Sequence, residues 1–278
     1  MMRAGRLLLP IFLAACLSPQ AHAAPSMELT AHRAVYDLSL SFSRGKRPIE
    51  AVRGRILYDF TGNSCEGYAL QFRQVSEIEA GEGKSLTSDL RAATFEDGTA
   101  KTFRFTSQNF INDNLVDQVD GTAERKNTGV GIALKKPGTK IFNLENGIVF
   151  PTEHMRRIIE AAREGKTLIE LPVFDGSETG EKVYNTLAII GKEIAPGDKP
   201  DDAAGSAAAL DGLKRWPVTI SYFDRSKKEA GEPLPVYSIG FELYENGVSR
   251  KLSLDYNDFV IVGRMSQIDI KPAAACVK

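Results

Sequence analysis

The sequence predicts a mainly β fold: antiparallel strands forming a barrel, sandwich or coiled sheet, with one amphipathic α-helix packed on a sheet. Three observations predict it. Apolar and polar residues alternate with period 2 in many short runs, turn signals separate those runs, and one segment carries helical periodicity. At 278 residues the chain can bury a real core, and all-β domains of about 250 residues occur as one unit.

Taken in order, the N-terminus reads as an address. Arg3 and Arg6 precede an apolar run from Leu7 to Leu17, then Ser18-Pro19-Gln20 breaks it and Ala21-His22-Ala23 comes next. A positive start, a short apolar stretch and an A-x-A site describe a secretory signal peptide, residues 1–23, cleaved after Ala23. The run is too short to span a bilayer, which needs roughly 20 residues, and no later run reaches that length. Leu13-Ala14-Ala15-Cys16 has the form of a lipobox, so anchoring at Cys16 is the alternative; the Pro19 break and the A-x-A site favour ordinary cleavage. The remaining chain, residues 24–278, shows no composition shift that would divide it, so a single exported domain is expected. Loss of two Arg and no acid takes the net charge from -1 to -3.

The strands come next. Tyr36, Leu38, Leu40 and Phe42 alternate with Asp37, Ser39 and Ser41. Ile56, Tyr58 and Phe60 do the same, as do Tyr68, Leu70 and Phe72, then Phe103 and Phe105. Later runs are Val218, Ile220 and Tyr222; Ile239, Phe241 and Leu243; Leu252, Leu254 and Tyr256; and Ile268 and Ile270. One apolar and one polar face per strand belongs to antiparallel sheets, because parallel sheets bury both faces. Asp97-Gly98 and Asn246-Gly247 suit type I′ hairpins, and Asn146-Gly147 and Asp175-Gly176 suit turns. No fixed repeat is present, which argues against a propeller or solenoid.

Thr152 to Glu164 is the helical segment. Met155, Ile158, Ile159 and Ala162 fall at i, i+3, i+4 and i+7 on one face. Thr152 is placed to cap the start, Gly165 to end the helix, and Glu153–Arg157 is a favourable i,i+4 pair. A lone helix among strands buries its stripe on a sheet, either as a core plug or as a lid over a ligand cavity in a curved sheet. Ala195 to Gly212, rich in Ala, Gly, Pro and Asp, reads as a mobile surface loop, and Arg225 to Pro233 as a second loop.

After cleavage the chain keeps Cys65 and Cys276. In an oxidising compartment an even pair reads as a disulfide, with two unpaired buried thiols as the alternative. A bridge closing so long a loop is worth on the order of 5 kcal/mol as an upper figure in the chain-entropy picture. No C-x-x-C supports a redox pair. The small-residue tail Ala273-Ala274-Ala275 would fray unless tied, which favours a structural clamp.

Signals for chemistry are thin. A near-neutral charge leaves no basic footprint for nucleic acid. Only His32 and His154 remain, far apart and without partners at ligand spacing, so no zinc site is expected; His154 reads as a surface or rim residue. Gly176-Ser177-Glu178-Thr179-Gly180 fails as a nucleophile elbow, because Asp175 stands where Gly is needed. Gly129-Val130-Gly131 lacks the third Gly of a dinucleotide loop. Asn112, Asp113, Asn114, Asp117 and Asp120 offer calcium-type oxygens without EF-hand spacing, and read as a solvated connection. No catalytic residue, metal or cofactor is assigned.

Three groups of residues nevertheless resemble a known family. Ala31-His32-Arg33-Ala34-Val35-Tyr36-Asp37-Leu38 is similar to the mature start of EipB-type cell envelope integrity proteins. So are Phe174-Asp175-Gly176-Ser177 with Gly180-Glu181-Lys182-Val183-Tyr184, and the layout of Cys65 with Cys276 two residues from the end. The resemblance covers about Ala31 to Lys278. It implies a β-spiral, a curled antiparallel sheet or open barrel wrapped around the helix, like the lipoprotein carrier and receptor LolA and LolB. It implies a Cys65–Cys276 disulfide, a periplasmic location, no catalytic activity and a role in envelope integrity under stress. It leaves two modes of action: binding a protein partner or envelope component, or carrying a lipid or acyl chain in the concave face, with Met155, Ile158, Ile159 and Ala162 as plug and cavity lining.

Overall fold

Alternation becomes structure as one antiparallel sheet of fourteen strands. The structure is a computed structural model that describes residues 27–44, 49–81, 83–198, 200–202, 204–226, 233–272 and 276. The leader, residues 1–23 with Cys16, lies outside these residues, as do most of the loop 225–233 and Ala273–Ala275.

Eight strands run outward from the N-terminus: β1 (His32–Ser43), β2 (Ile49–Asn63), β3 (Gly67–Ala80), β4 (Lys84–Glu96), β5 (Thr102–Ile111), β6 (Asn114–Lys126), β7 (Gly129–Lys136) and β8 (Lys140–Leu144). The helix α1 (Pro151–Arg163) comes after them. Six strands then return: β9 (Leu168–Val173), β10 (Tyr184–Ile190), β11 (Arg215–Asp224), β12 (Tyr237–Tyr244), β13 (Ser249–Asp255) and β14 (Phe259–Ile270). The spatial order is β8-β7-β6-β5-β4-β3-β2-β1-β14-β13-β12-β11-β10-β9. Strand β1 is the seam, paired with β2 on one side and with β14 on the other, from His32↔Ile270 to Ser43↔Phe259. Strands β8 and β9 are the two edges, and α1 connects them. The ladder does not close between them; one parallel bridge, Val149↔Val173, lies near the gap.

Long strands twist right-handedly, and a meander of this many strands curls into a trough. The inner phase is apolar: Tyr36, Ile56, Phe60, Tyr68, Val218 and Leu243 are all buried. The outer phase carries ion pairs, such as Asp89 between Arg73 and Arg91, and Asp59 between Arg33 and Lys271. Arginine held bidentately to a carboxylate explains why Asp89 falls to about 2.

Several expectations are corrected. The type I′ signature of two successive positive φ values belongs to Asn112 (48°) and Asp113 (62°), between β5 and β6. At Asn246-Gly247 only the glycine is positive, and Asp97-Gly98 shows no positive φ. The Asn112–Asp120 stretch is therefore a tight turn and the start of β6, and among the described residues no cluster is fit to hold a metal. The segment Ala195 to Gly212 is anchored where it is described. Ala204, Gly205 and Leu210 are buried in two 3-10 turns, and Ala204 and Leu210 pack on Ala34, Leu38 and Met265 of the seam. The fully buried Arg250 holds this segment down, with Nε to Asp202 at 2.9 Å and Nη1 to Glu242 at 2.8 Å. Cys65, in the β2–β3 turn, is bonded to Cys276 beyond β14, with Cα atoms 5.8 Å apart.

Candidate functional site

The helix divides the interior, so its placement defines the site. Pro151 at its first position has a fixed φ suited to a helix start. Phe150 occupies the N-cap and offers no side-chain bond, so the expected Thr152 cap is not formed. Glu96, at the end of β4, supplies it instead. Its Oε2 accepts from the Thr152 N–H at 2.7 Å and its Oε1 from the Glu153 N–H at 2.9 Å. A carboxylate suits the positive end of the helix dipole. Arg125 of β6 clamps the same turn, donating to Ile148 O and Ala100 O and pairing with Glu153 at 2.7 Å. Burial dominates the Glu96 carboxyl and pushes it up to about 7, against the pull of the two N–H donors and Arg156.

His154 is buried, not at the rim: the helix turns it inward against β10. Thr186 Oγ1 donates to Leu171 O at 2.9 Å, so the 3.1 Å contact with His154 Nε2 has the ring nitrogen as donor. Burial lowers this imidazole to about 4, with Arg157 adding to the shift. His32 is also buried, with Nδ1 2.7 Å from Thr30 O and its ring stacked on Tyr58. Among the described residues neither ring belongs to a cluster that could hold a metal.

Ile158, Ile159 and Ala162 pack into the core against Phe60, Tyr68, Trp216 and Leu243. Met155 alone of the stripe lines a cavity. Of the four residues named as plug and cavity lining, Met155 reaches the open space while Ile158, Ile159 and Ala162 are packed in the core.

The cavity is about 610 Å³, within the range of small-molecule sites. Ile56, Tyr58, Phe72, Leu90, Ile239 and Leu254 form apolar walls from both arms of the sheet, and Phe105 and Met155 complete them. Two glycines let the chain close around Phe105. A Cβ on Gly121 would stand 2.6 Å from its ring, and one on Gly176, whose φ is +70°, 2.3 Å. Polar groups gather at one end. The β9–β10 connection brings Asp175, Ser177 and Glu178 beside Tyr222 and Tyr237, whose rings stack at 4.4 Å, with Tyr184 edge-on to both. Asp175 accepts from the Ser177 N–H at 2.9 Å, and burial raises its carboxyl. Among the described residues, the lining includes the carboxylates Asp117, Asp175, Glu178 and Asp255 and no Lys, Arg or His side chain.

The alternation in the sequence places Tyr36, Tyr58 and Tyr222 on inner faces and the Phe174–Ser177 stretch in a turn, but does not join them. The signal available was a tyrosine recurring where leucine would fill the same apolar phase, which leaves a hydroxyl facing inward.

The family signature described as EipB-like matches residues 23–272. The chain belongs to the EipB-like family. It is 36% identical over 260 residues to the cell envelope integrity protein EipB of Brucella abortus, spanning 94% of this chain and 91% of that one. It is also similar to a crystal structure from Brucella abortus of a beta-barrel-like protein of a domain of unknown function. That match has a TM-score of 0.80 at 34% identity, covering 88% of this chain and all of the other. The chain therefore shares the beta-barrel-like fold of that structure. Among the described residues no helix is long and apolar enough to cross a membrane.

Proposed function

We propose that this EipB-like protein maintains cell envelope integrity by binding an apolar envelope component in the cavity of its curled sheet, without catalysis. The cavity carries this reading. At about 30 Å³ per water-sized group, 610 Å³ has room for about 20 methylenes, one acyl chain rather than two. Burial of each methylene favours binding by about 0.8 kcal/mol. The name of the Brucella relative supports the envelope role. A Cys65–Cys276 bridge suits an oxidising compartment, and with it a periplasmic domain of residues 24–278 behind a signal peptide of residues 1–23.

A protein partner is the second reading, favoured by the edges. Ile141 on β8 is 80% exposed and Leu168 on β9 50%, and both strands stand at the ends of the sheet, where β9 is met on its outer side by Val149 at its C-terminal end. Native mass spectrometry of the protein, purified gently from an envelope fraction, separates the two. A lipid-sized excess over residues 24–278, lost on denaturation, is the expected result. A ligand-free mass alongside a co-purifying protein would replace the cavity reading by the partner one.

A further inference from the structure

The charges on the cavity wall select among possible ligands. Four carboxylates reach the lining and no cationic side chain among the described residues does. Two of the four have counter-ions outside the lining: Glu178 pairs with Lys182, which also holds Asp224, and Asp255 pairs with Arg44. Asp175 and Asp117 enter no ion pair among the described residues. Asp175 bonds to the backbone of its own turn, and the charge that acts on it most is Glu178, of like sign. Beside it stand Tyr222, Tyr237 and Tyr184, ring faces and edges within 6.1 Å of one another. On the far wall Asn109 presents an Oδ1 that accepts no hydrogen bond among the described residues. The polar features of this cavity accept protons or attract positive charge; the backbone aside, its donors are hydroxyls and the Asn109 and Gln74 amides.

We infer that the cavity selects an amphiphile with a cationic, ammonium-type headgroup, seated against Asp175 and the Tyr222–Tyr237 pair, with its chain along Ile56, Phe72 and Leu90. The inference rests on the apolar-cavity reading above and narrows it. Tyrosine faces attract ammonium groups most strongly where water is excluded, and an acidic partner adds to that. An anionic headgroup in the same place would meet Asp175, a carboxylate without a counter-ion among the described residues, and lose its hydration without compensation.

The test uses three ten-carbon probes below their micelle concentrations, decyltrimethylammonium, decyl glucoside and decanoate, titrated calorimetrically into the full mature protein. The expected order is cation, then neutral, then anion, with the cation favoured over the neutral probe by about tenfold. Asp175→Asn keeps the Oδ1 acceptor that holds Ser177 and removes the charge. It should cancel most of that preference, read as the ratio of the decyltrimethylammonium affinity to the decyl glucoside affinity. Tyr237→Leu should do the same from the ring side. Equal binding of all three probes, or a preference that survives both substitutions, overturns the headgroup assignment and leaves the apolar cavity standing. No binding of any probe overturns the cavity reading itself.

Discussion

Arg250 shows how much one residue can hold. Its side chain is 1% exposed, and its guanidinium joins Asp202 and Glu242, with Asp201 bonded at the rim. Arg215 shares Glu242 at 2.7 Å. Removing one partner of a buried network leaves the others charged and unpaired, which costs roughly 3–5 kcal/mol. Arg250→Met should therefore lower the unfolding free energy by about that much and release the segment around Leu210 from the seam. Urea unfolding measures the first effect and limited proteolysis the second; a loss below about 1 kcal/mol would mean the network is not coupled to the fold. Arg250→Lys should recover only part, since an ammonium cannot span both acids in the plane of the guanidinium. The sequence held a faint sign of this residue, a charge in phase with Leu252 and Leu254. Its partner Asp202 lies 48 residues away in a stretch whose composition reads as loose, so the anchoring was not legible.

At the scale of one element, helix α1 joins two buried groups with opposite pH behaviour. Glu96 rises from 4.5 to about 7, so its folded form holds a proton that the unfolded chain has released; that stability is present below 4.5 and is lost as pH rises through 7. His154 falls from 6.5 to about 4, so its contribution is present above 6.5 and is lost as pH falls through 4. Each is worth about 3 kcal/mol at most. Between pH 4.5 and 6.5 the two slopes oppose each other, and the native protein should show little net dependence from this pair. Glu96→Gln should unmask the acid sensitivity of His154, with stability falling as pH drops. His154→Gln should unmask the reverse slope. Denaturant midpoints of the three proteins across this pH window decide it: parallel curves would show that neither group titrates as its burial requires. Asp89 and Asp224, both near 2, stay charged throughout this window. The helix was legible because its stripe repeats with a strong period, and its end at Gly165 was legible from the residue type. Its true cap was not, because Glu96 lies 56 residues upstream of Thr152 and no local pattern marks it.

The whole molecule is a sheet that begins and ends at the same seam. Strands whose alternation was clean, such as β2, β3 and β12, were legible. Strands β4, β6, β7, β8, β9 and β10 were not, because charges, glycines or continuous apolar runs blur their period. The order of the strands was legible only as a meander of hairpins; the β1–β14 pairing joins His32 to Ile270, at opposite ends of the domain, and leaves no local trace. Every other ladder joins neighbours in sequence, so this pairing closes the largest loop in the fold and orders the most chain for its contacts. The Cys65–Cys276 bond, separated by 211 residues, spans nearly the same loop. It therefore acts chiefly by limiting the unfolded chain, and the loop-entropy relation gives about 5 kcal/mol as an upper bound. Cys276→Ser should lower unfolding free energy by several kcal/mol, to be read from urea transitions under non-reducing conditions. Because one link is lost whichever sulfur is removed, Cys65→Ser and the double Cys65→Ser/Cys276→Ser variant should fall by the same amount. A double variant clearly less stable than either single one would locate the effect in local packing of the sulfurs. Three matching losses would locate it in the unfolded chain, held near the seam that the folded sheet must close.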